Sequence, residues 1–296
     1  AIAETKGHLG NLDLNPTGST VIGDWSFWTA GQITIGKADS TSNSSKQDFD
    51  TINITTGIDR RYGEDSLIGF ALNFGQDDID IGSVGSSVES DNLSMSFYSV
   101  SQTSNLLTLE SQLGLGAMKI GTKRIDGSQK LSGKRDAKMV FGSVSVRDEP
   151  LTNGDTSLTP YGRAEWSYIE LDSYSESGGS LALSFDKQEI YRSMLFVGTD
   201  INHETQFVNG KLKPYVSFEY GFDLTSDSNV GMHYVGDSRN YQMDLEKEST
   251  SHWLMRLGAD YQSRDGLTSS LTYEFNQAVS AGHSSSIQIN LSMPFN

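Results

Sequence analysis

Few residues of this sequence have the types and spacing that catalysis or metal binding requires. The five histidines are far apart and show no His-x-x-x-His spacing, which would place two ligands on one helix face. They are His8, His203, His233, His252 and His283. No Gly-x-Ser-x-Gly segment is present, so the nucleophile elbow of a hydrolase is missing as well. The sequence therefore predicts no catalytic residue, no metal ligand and no cofactor.

Two short segments carry residue types found in esterases or in cation sites, but their positions in the sequence do not suit either role. Gly236-Asp237-Ser238 is similar to the nucleophile block of GDSL esterases, which opens the first strand of an α/β domain. Here the block falls in a long loop after the ninth predicted strand. Asp77, Asp78 and Asp80 are clustered in a predicted loop, which favours a solvated acidic surface. The alternative is weak binding of calcium, or of a cation that bridges to lipopolysaccharide.

Five charged side chains lie where a simple folded core would not accept them. They are Arg163, Glu165, Glu219, Arg256 and Glu274, and they occupy the face opposite apolar residues in alternating segments. A dry core would make such charges costly, because each needs water or a partner of opposite sign. A polar lumen supplies both. We therefore predict that these five side chains face the inside of a barrel.

The elements that must position these charges are β-strands. Alternation of apolar and polar residues, which gives a strand one face of each kind, recurs in about twelve segments. It is clearest at the C-terminus, where one face carries Ile287, Ile289, Leu291, Met293 and Phe295. An aromatic residue at the end of such a strand is typical of the closing strand of an outer-membrane barrel.

The predicted fold is all-β: a transmembrane antiparallel β-barrel of about twelve strands over residues 25–296. Short turns near 63–65, 102–105 and 263–266 alternate with longer polar connections, for example 39–47 and 76–90. The longer connections follow strands one, three, five, seven, nine and eleven. Short turns on one side and long loops on the other indicate periplasmic and extracellular ends.

Aromatic residues at predicted strand ends suit the same fold. Trp25, Trp28, Tyr62, Tyr161 and Tyr261 are expected to form a girdle at the lipid headgroups, where amphipathic rings are favoured. The alternative is that these rings are core residues of a soluble β-sandwich.

Composition narrows the function further. The formal net charge of -16 would repel a phosphate backbone, so we expect no nucleic-acid partner. The chain has no cysteine, which fits a protein that crosses an oxidising periplasm unfolded. It has no run of about 18 apolar residues, as a membrane helix would need. No signal peptide is present, so we expect that one was removed or that this is the tail of a longer precursor.

Several segments resemble the autotransporter β-domain. Leu158-Thr-Pro-Tyr-Gly-Arg-Ala-Glu-Trp-Ser-Tyr168 and Asp172-Ser-Tyr-Ser-Glu-Ser-Gly178 follow the family pattern, and Leu181 to Phe185 continues it. Val197-Gly-Thr-Asp200, Leu212-Lys-Pro-Tyr-Val216 and the terminal strand match as well. The resemblance covers roughly residues 20–296. One departure is Asn296, which follows the aromatic residue that usually ends the family's chains.

The resemblance implies a twelve-stranded barrel of type V secretion in the bacterial outer membrane. Such a barrel is a non-enzymatic, monomeric domain that exports and anchors a covalently attached N-terminal passenger. Its implied partners are the lipid bilayer, lipopolysaccharide and the barrel-assembly machinery, which would recognise the terminal strand. Residues 1–24 are the expected linker or lumen plug, with a disordered terminus as the alternative.

Two other functions stay open at this point. One is a stand-alone outer-membrane channel or structural barrel without a passenger, and the other is an enzyme or a soluble β-sandwich. Some members of the family cut their passenger free at an Asn-Asn pair inside the barrel. No such pair precedes the first predicted strand, so the sequence does not predict cleavage by that chemistry.

Overall fold

Twelve long antiparallel strands form the body of the protein in the computed structural model. The structure describes residues 25–40, 45–62, 65–103, 107–245, 249–279 and 281–295. In chain order the strands are β1 (Trp25–Ala38), β2 (Gln47–Arg61), β3 (Ser66–Ile81), β4 (Ser86–Gln102), β5 (Thr108–Asp126), β6 (Gln129–Arg147), β7 (Thr156–Leu171), β8 (Gln188–His203), β9 (Gly210–Asp223), β10 (Ser251–Ser263), β11 (Thr268–Ala278) and β12 (Gly282–Phe295). The predicted linker, residues 1–24, lies outside the described residues.

Each long strand pairs with the next in the sequence, and β12 pairs with β1 to close the sheet. The closing seam runs over the full length of both strands, from Trp25 opposite Phe295 to Ala38 opposite Gly282. A closed sheet has no edge strand, so the backbone groups of the wall find their partners within it. The prediction of a closed, twelve-stranded antiparallel barrel is confirmed.

The wall is apolar outside and polar inside. Exposed, outward side chains include Phe27, Ile33, Ile54, Phe70, Leu72, Met95, Leu115, Val197, Phe218 and Leu271. Buried, inward side chains include Gln32, Thr55, Asn73, Ser96, Gln112, Ser145, Ser217 and Asn290. So many large apolar side chains in one continuous outer band suit contact with lipid rather than water.

The height of the apolar band is close to that of an outer-membrane barrel. On β1 it runs from Phe27 to Ile35, a distance of about 27 Å along the strand. A strand tilt of about 40° reduces this to a height of roughly 20 Å, close to the apolar band of known outer-membrane barrels. The next outward position on β1 is Lys37, which marks the edge of the band. Within the described ranges, no helix is long and apolar enough to cross a membrane.

The terminal strand presents its predicted apolar face to the outside. Ile287, Ile289, Leu291 and Met293 are exposed, and the residues between them point into the barrel. The side chain of Phe295 lies outside the described residues. The strand therefore has the lipid-facing side that the sequence pattern indicated.

The two ends of the barrel differ. The end that carries Trp25 and Phe295, here called the turn end, has short connections between most strands. The opposite end, here called the loop end, carries the long segments 172–187 and 224–250. The predicted loop over 76–90 is wrong, because β3 and β4 continue as a hairpin to a turn at 82–85. Likewise β5 and β6 run for 19 residues each and are joined by only Gly127 and Ser128. In these segments the strands extend beyond the apolar band at the loop end.

A small four-stranded sheet, here called the cap, lies at the loop end. Its strands are, in spatial order, Tyr241–Leu245, Ser228–Tyr234, Leu183–Phe185 and Tyr174–Ser175. Arg124 on the β5–β6 hairpin fastens the cap, because its Nε and Nη2 donate to Glu176 at 3.0 and 2.6 Å. These bonds raise the pKa of Arg124 above its already high ordinary value. The Glu176 side chain is only 2% exposed, so the ion pair fixes segment 172–187 to the barrel rim.

Candidate functional site

The inside of the barrel carries a connected group of charges centred on Glu219 of β9. The carboxylate of Glu219 accepts hydrogen bonds from Arg163 Nη2 at 2.6 Å, from Arg256 Nη1 at 3.2 Å and from the Tyr161 hydroxyl at 2.7 Å. Its side chain is 0% exposed, so these bonds take the place of hydration. A buried carboxylate is stable only with such partners.

Both arginines have a second carboxylate partner. Arg256 Nε donates to Glu274 Oε2 at 2.6 Å, and Arg163 pairs with Glu165. The structure thus brings all five charged residues that were predicted to face a lumen into one inward network. Positive and negative groups alternate along it, which compensates each charge locally.

A glycine allows this network to cross a strand. β8 lies between β7, which carries Tyr161 and Arg163, and β9, which carries Glu219. Gly198 is the inward residue of β8 at this level, paired with Tyr161 on one side and Glu219 on the other. A Cβ at position 198 would lie 2.8 Å from the Tyr161 ring and 2.9 Å from Glu219 Cγ. The close approach of these two side chains over β8 therefore requires glycine.

A second group extends the network around the wall. Arg147 of β6 donates to Glu110 Oε1 of β5 at 2.7 Å and also pairs with Asp200 of β8. Its guanidinium lies over the Tyr161 ring at 4.5 Å from the centroid, which links this group to Glu219. The combined network takes residues from every strand between β5 and β11. It joins three arginines to five carboxylates, so negative charge is in excess.

The opposite wall of the lumen carries an aromatic cluster instead. Trp28 of β1 donates from Nε1 to the Tyr98 hydroxyl at 2.6 Å, and that hydroxyl donates to Asp59 Oδ2 at 2.8 Å. Both rings are 0% exposed. Each ring lies across the neighbouring strand where the inward residue is a glycine, Gly57 for Trp28 and Gly69 for Tyr98. The charged network and this cluster of two rings thus lie on different parts of the lumen wall.

A cavity of about 320 Å³ lies beside the charged network. Its walls come from β6 to β12 and include Arg147, Asp200, Tyr215, Arg256 and Glu274. Pockets for small organic molecules are lined mainly by apolar side chains with few polar groups. This lining carries charges of both signs, so it suits a hydrated polar chain better than an apolar ligand.

Two members of the predicted aromatic girdle belong to the lumen. Trp28 and Tyr161 are 0% and 6% exposed, so their assignment to the headgroup level is wrong. The physical reason is strand alternation, since both lie on the polar face of their strands. Trp25 and Tyr62 are exposed near the turn end, and Tyr261 is half-buried there with its hydroxyl donating to the Asn209 carbonyl.

Outward aromatic residues at the other edge of the band were not predicted as a girdle. Tyr168 and Tyr191 pack at a centroid distance of 4.8 Å, and Tyr220 and Trp253 at 4.6 Å. All four lie near the loop-end limit of the apolar outward positions. The sequence could have indicated this position, because each of these aromatic residues is separated by an even number of positions from lipid-facing residues of the same strand.

The segments with candidate chemistry are engaged in structural contacts. Asp77 lies on β3, not in a loop, and accepts hydrogen bonds from Thr51 at 2.8 Å and Ser90 at 2.9 Å. Asp237 accepts two hydrogen bonds from the Arg239 side chain, which lower the pKa of its carboxyl. Across the described ranges, no three His, Asp or Glu side chains converge as metal ligands would.

Reasoning from sequence missed three charged members of the network, Glu110, Arg147 and Asp200. Glu110 alternates with Leu109, so its inward face was readable from the sequence. Asp200 lies on the eighth strand, whose faces are ambiguous in the sequence. Arg147 ends its strand, where alternation gives little information. Contacts among these residues depend on the register of four strands, which no single segment encodes.

Comparisons with known proteins agree with this architecture. A sequence model of the family described as the autotransporter beta-domain matches residues 27–274. A comparison with curated proteins found no match. Among solved structures, the translocator domain of the autotransporter NalP from Neisseria meningitidis superposes with a TM-score of 0.77 at 14% identity, covering 99% of this chain and 93% of that one.

Two further autotransporter structures are similar. The β-domain of the Bordetella autotransporter BrkA gives a TM-score of 0.70 at 11% identity, with 92% of this chain and 100% of that chain covered. The transport unit of AIDA-I from Escherichia coli gives 0.55 at 10% identity, covering 97% and 94%. At these low identities the structural similarity supports the fold alone. The match to the family's sequence model supports membership of the family.

Proposed function

The chain belongs to the autotransporter β-domain family, and we propose that its barrel exports and displays a passenger attached at its N-terminal side. The role of translocator and anchor follows from the family, whose fold is a transport barrel rather than a catalytic one. Members of this family are barrels of the bacterial outer membrane. In that membrane the loop end is extracellular and the turn end periplasmic, since long loops face outward.

The position of Trp25 carries the proposal. β1 starts at the turn end, so a chain that precedes Trp25 and reaches the cell surface must pass through the lumen. Residues 1–24 would span about 36 Å as a helix, more than the height of the apolar band. We propose that they are the linker, which runs from Trp25 through the lumen to the passenger.

The polar lumen supports this path. A polar segment can cross it without losing hydrogen-bonding partners, whereas crossing lipid would leave each backbone group unsatisfied. The proposed partners are the lipid bilayer with its lipopolysaccharide, the barrel-assembly machinery at β12, and the attached passenger. The barrel acts as a monomer.

Surface display of a reporter tests the proposal. A signal peptide and an epitope-tagged reporter are fused before residue 1, and the fusion is expressed in a Gram-negative host. We expect protease added to intact cells to remove the tag, while the barrel runs faster on gels before boiling than after. A tag that is protected in intact cells that contain the folded barrel would refute export.

Conductance separates this function from that of a stand-alone channel. The whole chain and a variant without residues 1–24 are compared in planar bilayers. A linker in the lumen predicts low conductance for the whole chain and a stable, larger conductance for the shortened one. Equal, large conductance of both would favour the channel without a passenger.

A further inference from the structure

Four lysines form a diagonal row on the β5–β6 hairpin, here called the lysine ladder. Its members are Lys138, Lys119, Lys134 and Lys123. Lys138 is paired with Ala117, Lys119 with Asp136, Lys134 with Gly121, and Lys123 with Ser132. Each lysine is therefore the diagonal neighbour of the next, with Cα atoms about 7–8 Å apart. The ladder presents four ammonium groups along one line.

The ladder occupies the lipid-facing side of the wall. Lys119 and Lys123 share strand parity with Leu113 and Leu115, which are exposed outward on β5. Lys134 and Lys138 share parity with Val144 and Val146, which are exposed outward on β6. Lys119, Lys134 and Lys138 are themselves exposed, and Lys123 is half-buried.

The ladder starts at the depth where lipid headgroups lie. Val140 of β6 is paired with Tyr168 of β7, which packs against Tyr191 as part of the outward aromatic group. Such rings mark the headgroup level. Lys138 lies two residues beyond Val140 towards the loop end, about 7 Å along the strand. Lys119 lies about 7 Å further along, and Lys134 and Lys123 lie further still, so Lys138 and Lys119 are the members of the ladder nearest the headgroups.

The four ammonium groups are available for a ligand. Over the part of the chain that the structure describes, the ion pairs within 4.0 Å include none of these four lysines. By contrast, Lys37 and Lys46 at the same end of the barrel pair with Asp48 at 3.8 and 2.9 Å. Asp136 and Asp91 are register neighbours of Lys119, yet neither forms an ion pair with it. Glu170 of β7 is the register neighbour of Lys138, but its ion pair within 4.0 Å is with Lys187, at 2.8 Å.

The neighbouring strands carry the opposite charge at the same height. Asp50 of β2, Asp78 of β3 and Glu89 of β4 form one outward row, each paired with the next. This acidic row repels anions, whereas the ladder attracts them. An anionic ligand is thereby directed to the β5–β6 side of the barrel.

We propose that the lysine ladder, through its lower members Lys138 and Lys119, binds the phosphate groups of a phosphorylated glycolipid of the lipid A type in the outer leaflet. The proposal rests on the proposed function, because that function makes the loop end extracellular. Basic side chains next to an apolar surface bind anionic headgroups, and each lysine adds to the attraction. The acyl chains of the same lipid would contact the apolar residues below, such as Leu113 and Leu115. Both halves of the lipid thus meet a complementary surface.

Binding of purified lipids to the full chain in neutral detergent micelles tests the proposal. The probes are bis-phosphorylated lipid A and lipid A from which both phosphates have been removed, and bound lipid is counted by native mass spectrometry. The wild type is expected to bind the phosphorylated form at least about tenfold more tightly. Equal binding of the two lipids overturns the proposal without any variant.

Two matched variants locate the site. The ladder variant combines Lys119→Gln with Lys138→Gln, and the control, which removes the same number of charges at the same end of the barrel, combines Lys37→Gln with Lys46→Gln. The ladder variant is expected to lose at least about tenfold in affinity for the phosphorylated lipid, and the control less than about twofold. An unchanged ladder variant, or an equal loss in the control, overturns the assignment. So does displacement of the lipid by an equal concentration of inorganic phosphate, which would show an anion site without lipid specificity.

The outcome is independent of passenger export. Faster gel migration before boiling shows that each variant is folded, and binding in micelles involves no translocation. Failed display of the reporter with intact, ladder-dependent lipid binding would refute the proposed export alone. Normal display with no preference for the phosphorylated lipid would refute the ladder alone.

Discussion

Replacing Glu219 tests whether the lumen network holds the barrel together. The variant Glu219→Gln keeps the shape of the side chain but removes the charge between Arg163 and Arg256. The carboxylate is 0% exposed and accepts charged hydrogen bonds at 2.6 and 3.2 Å, plus one from Tyr161 at 2.7 Å. Removing one partner of a buried ion pair costs about 3–5 kcal/mol. Both arginines keep a second carboxylate, so we expect the low end, a loss of about 3 kcal/mol in the free energy of unfolding.

Glu165→Gln is the matched control. Glu165 pairs with the same Arg163, but its side chain is 23% exposed and Arg163 retains Glu219 in the variant. Water can therefore compensate part of the change, and we expect a loss of about 1 kcal/mol. The assay is urea unfolding in lipid vesicles, followed by tryptophan fluorescence, with the slope against denaturant unchanged. A loss for Glu219→Gln that is no larger than for Glu165→Gln would refute the central place of Glu219 in the network.

Three further substitutions probe the wall and the cap. Ile289→Lys places a charge in the middle of the lipid-facing band and should cost about 2–4 kcal/mol, whereas Gln288→Lys points into the polar lumen, where Glu274 lines the same cavity, and should cost less. Gly57→Val adds a Cβ only 2.5 Å from a buried tryptophan ring and should destabilise by about 1–3 kcal/mol in the same assay. Gly31→Val is its control, because nothing lies within 4 Å of the added Cβ. Arg124→Gln should raise hydrogen exchange in segment 172–187 about tenfold, and unchanged exchange there would show that the cap does not depend on this ion pair.

The side of the barrel wall to which each side chain points was predictable from the sequence, because it alternates every residue along a strand. Which way a side chain faces depends only on its position in its own strand, so the inward charges and the outward face of β12 follow from local patterns. The number of strands follows for the same reason. The prediction of a loop over 76–90 was wrong because only segments with one apolar face were assigned as strands. Above the lipid the outward residues of β3 and β4 are polar, among them Asp78 and Glu89, so the lipid-facing apolar pattern ends while the pairing of the strands continues.

Contacts inside the lumen were not predictable, because they depend on register across several strands. Tyr161 and Glu219 are 58 residues apart in the sequence and meet over Gly198, the inward residue of β8 between them. Nothing in either strand alone indicates that Gly198 will lie opposite both. The sequence could therefore predict which side chains enter the lumen but not which of them pair.

The misplaced tryptophan shows what additional reasoning the sequence allows. Trp28 shares its parity with Ala30 and Gln32, so it lies on the inward face even though it is near a strand end. A ring on that face must lie flat across the next strand, and a side chain at the contact point would block it. In the observed register that point is Gly57, directly opposite Trp28. Tyr98 and Gly69 repeat the arrangement on β4 and β3. An inward aromatic residue together with an inward glycine on the neighbouring strand therefore predicts a lumen ring, and it also constrains the register between the two strands.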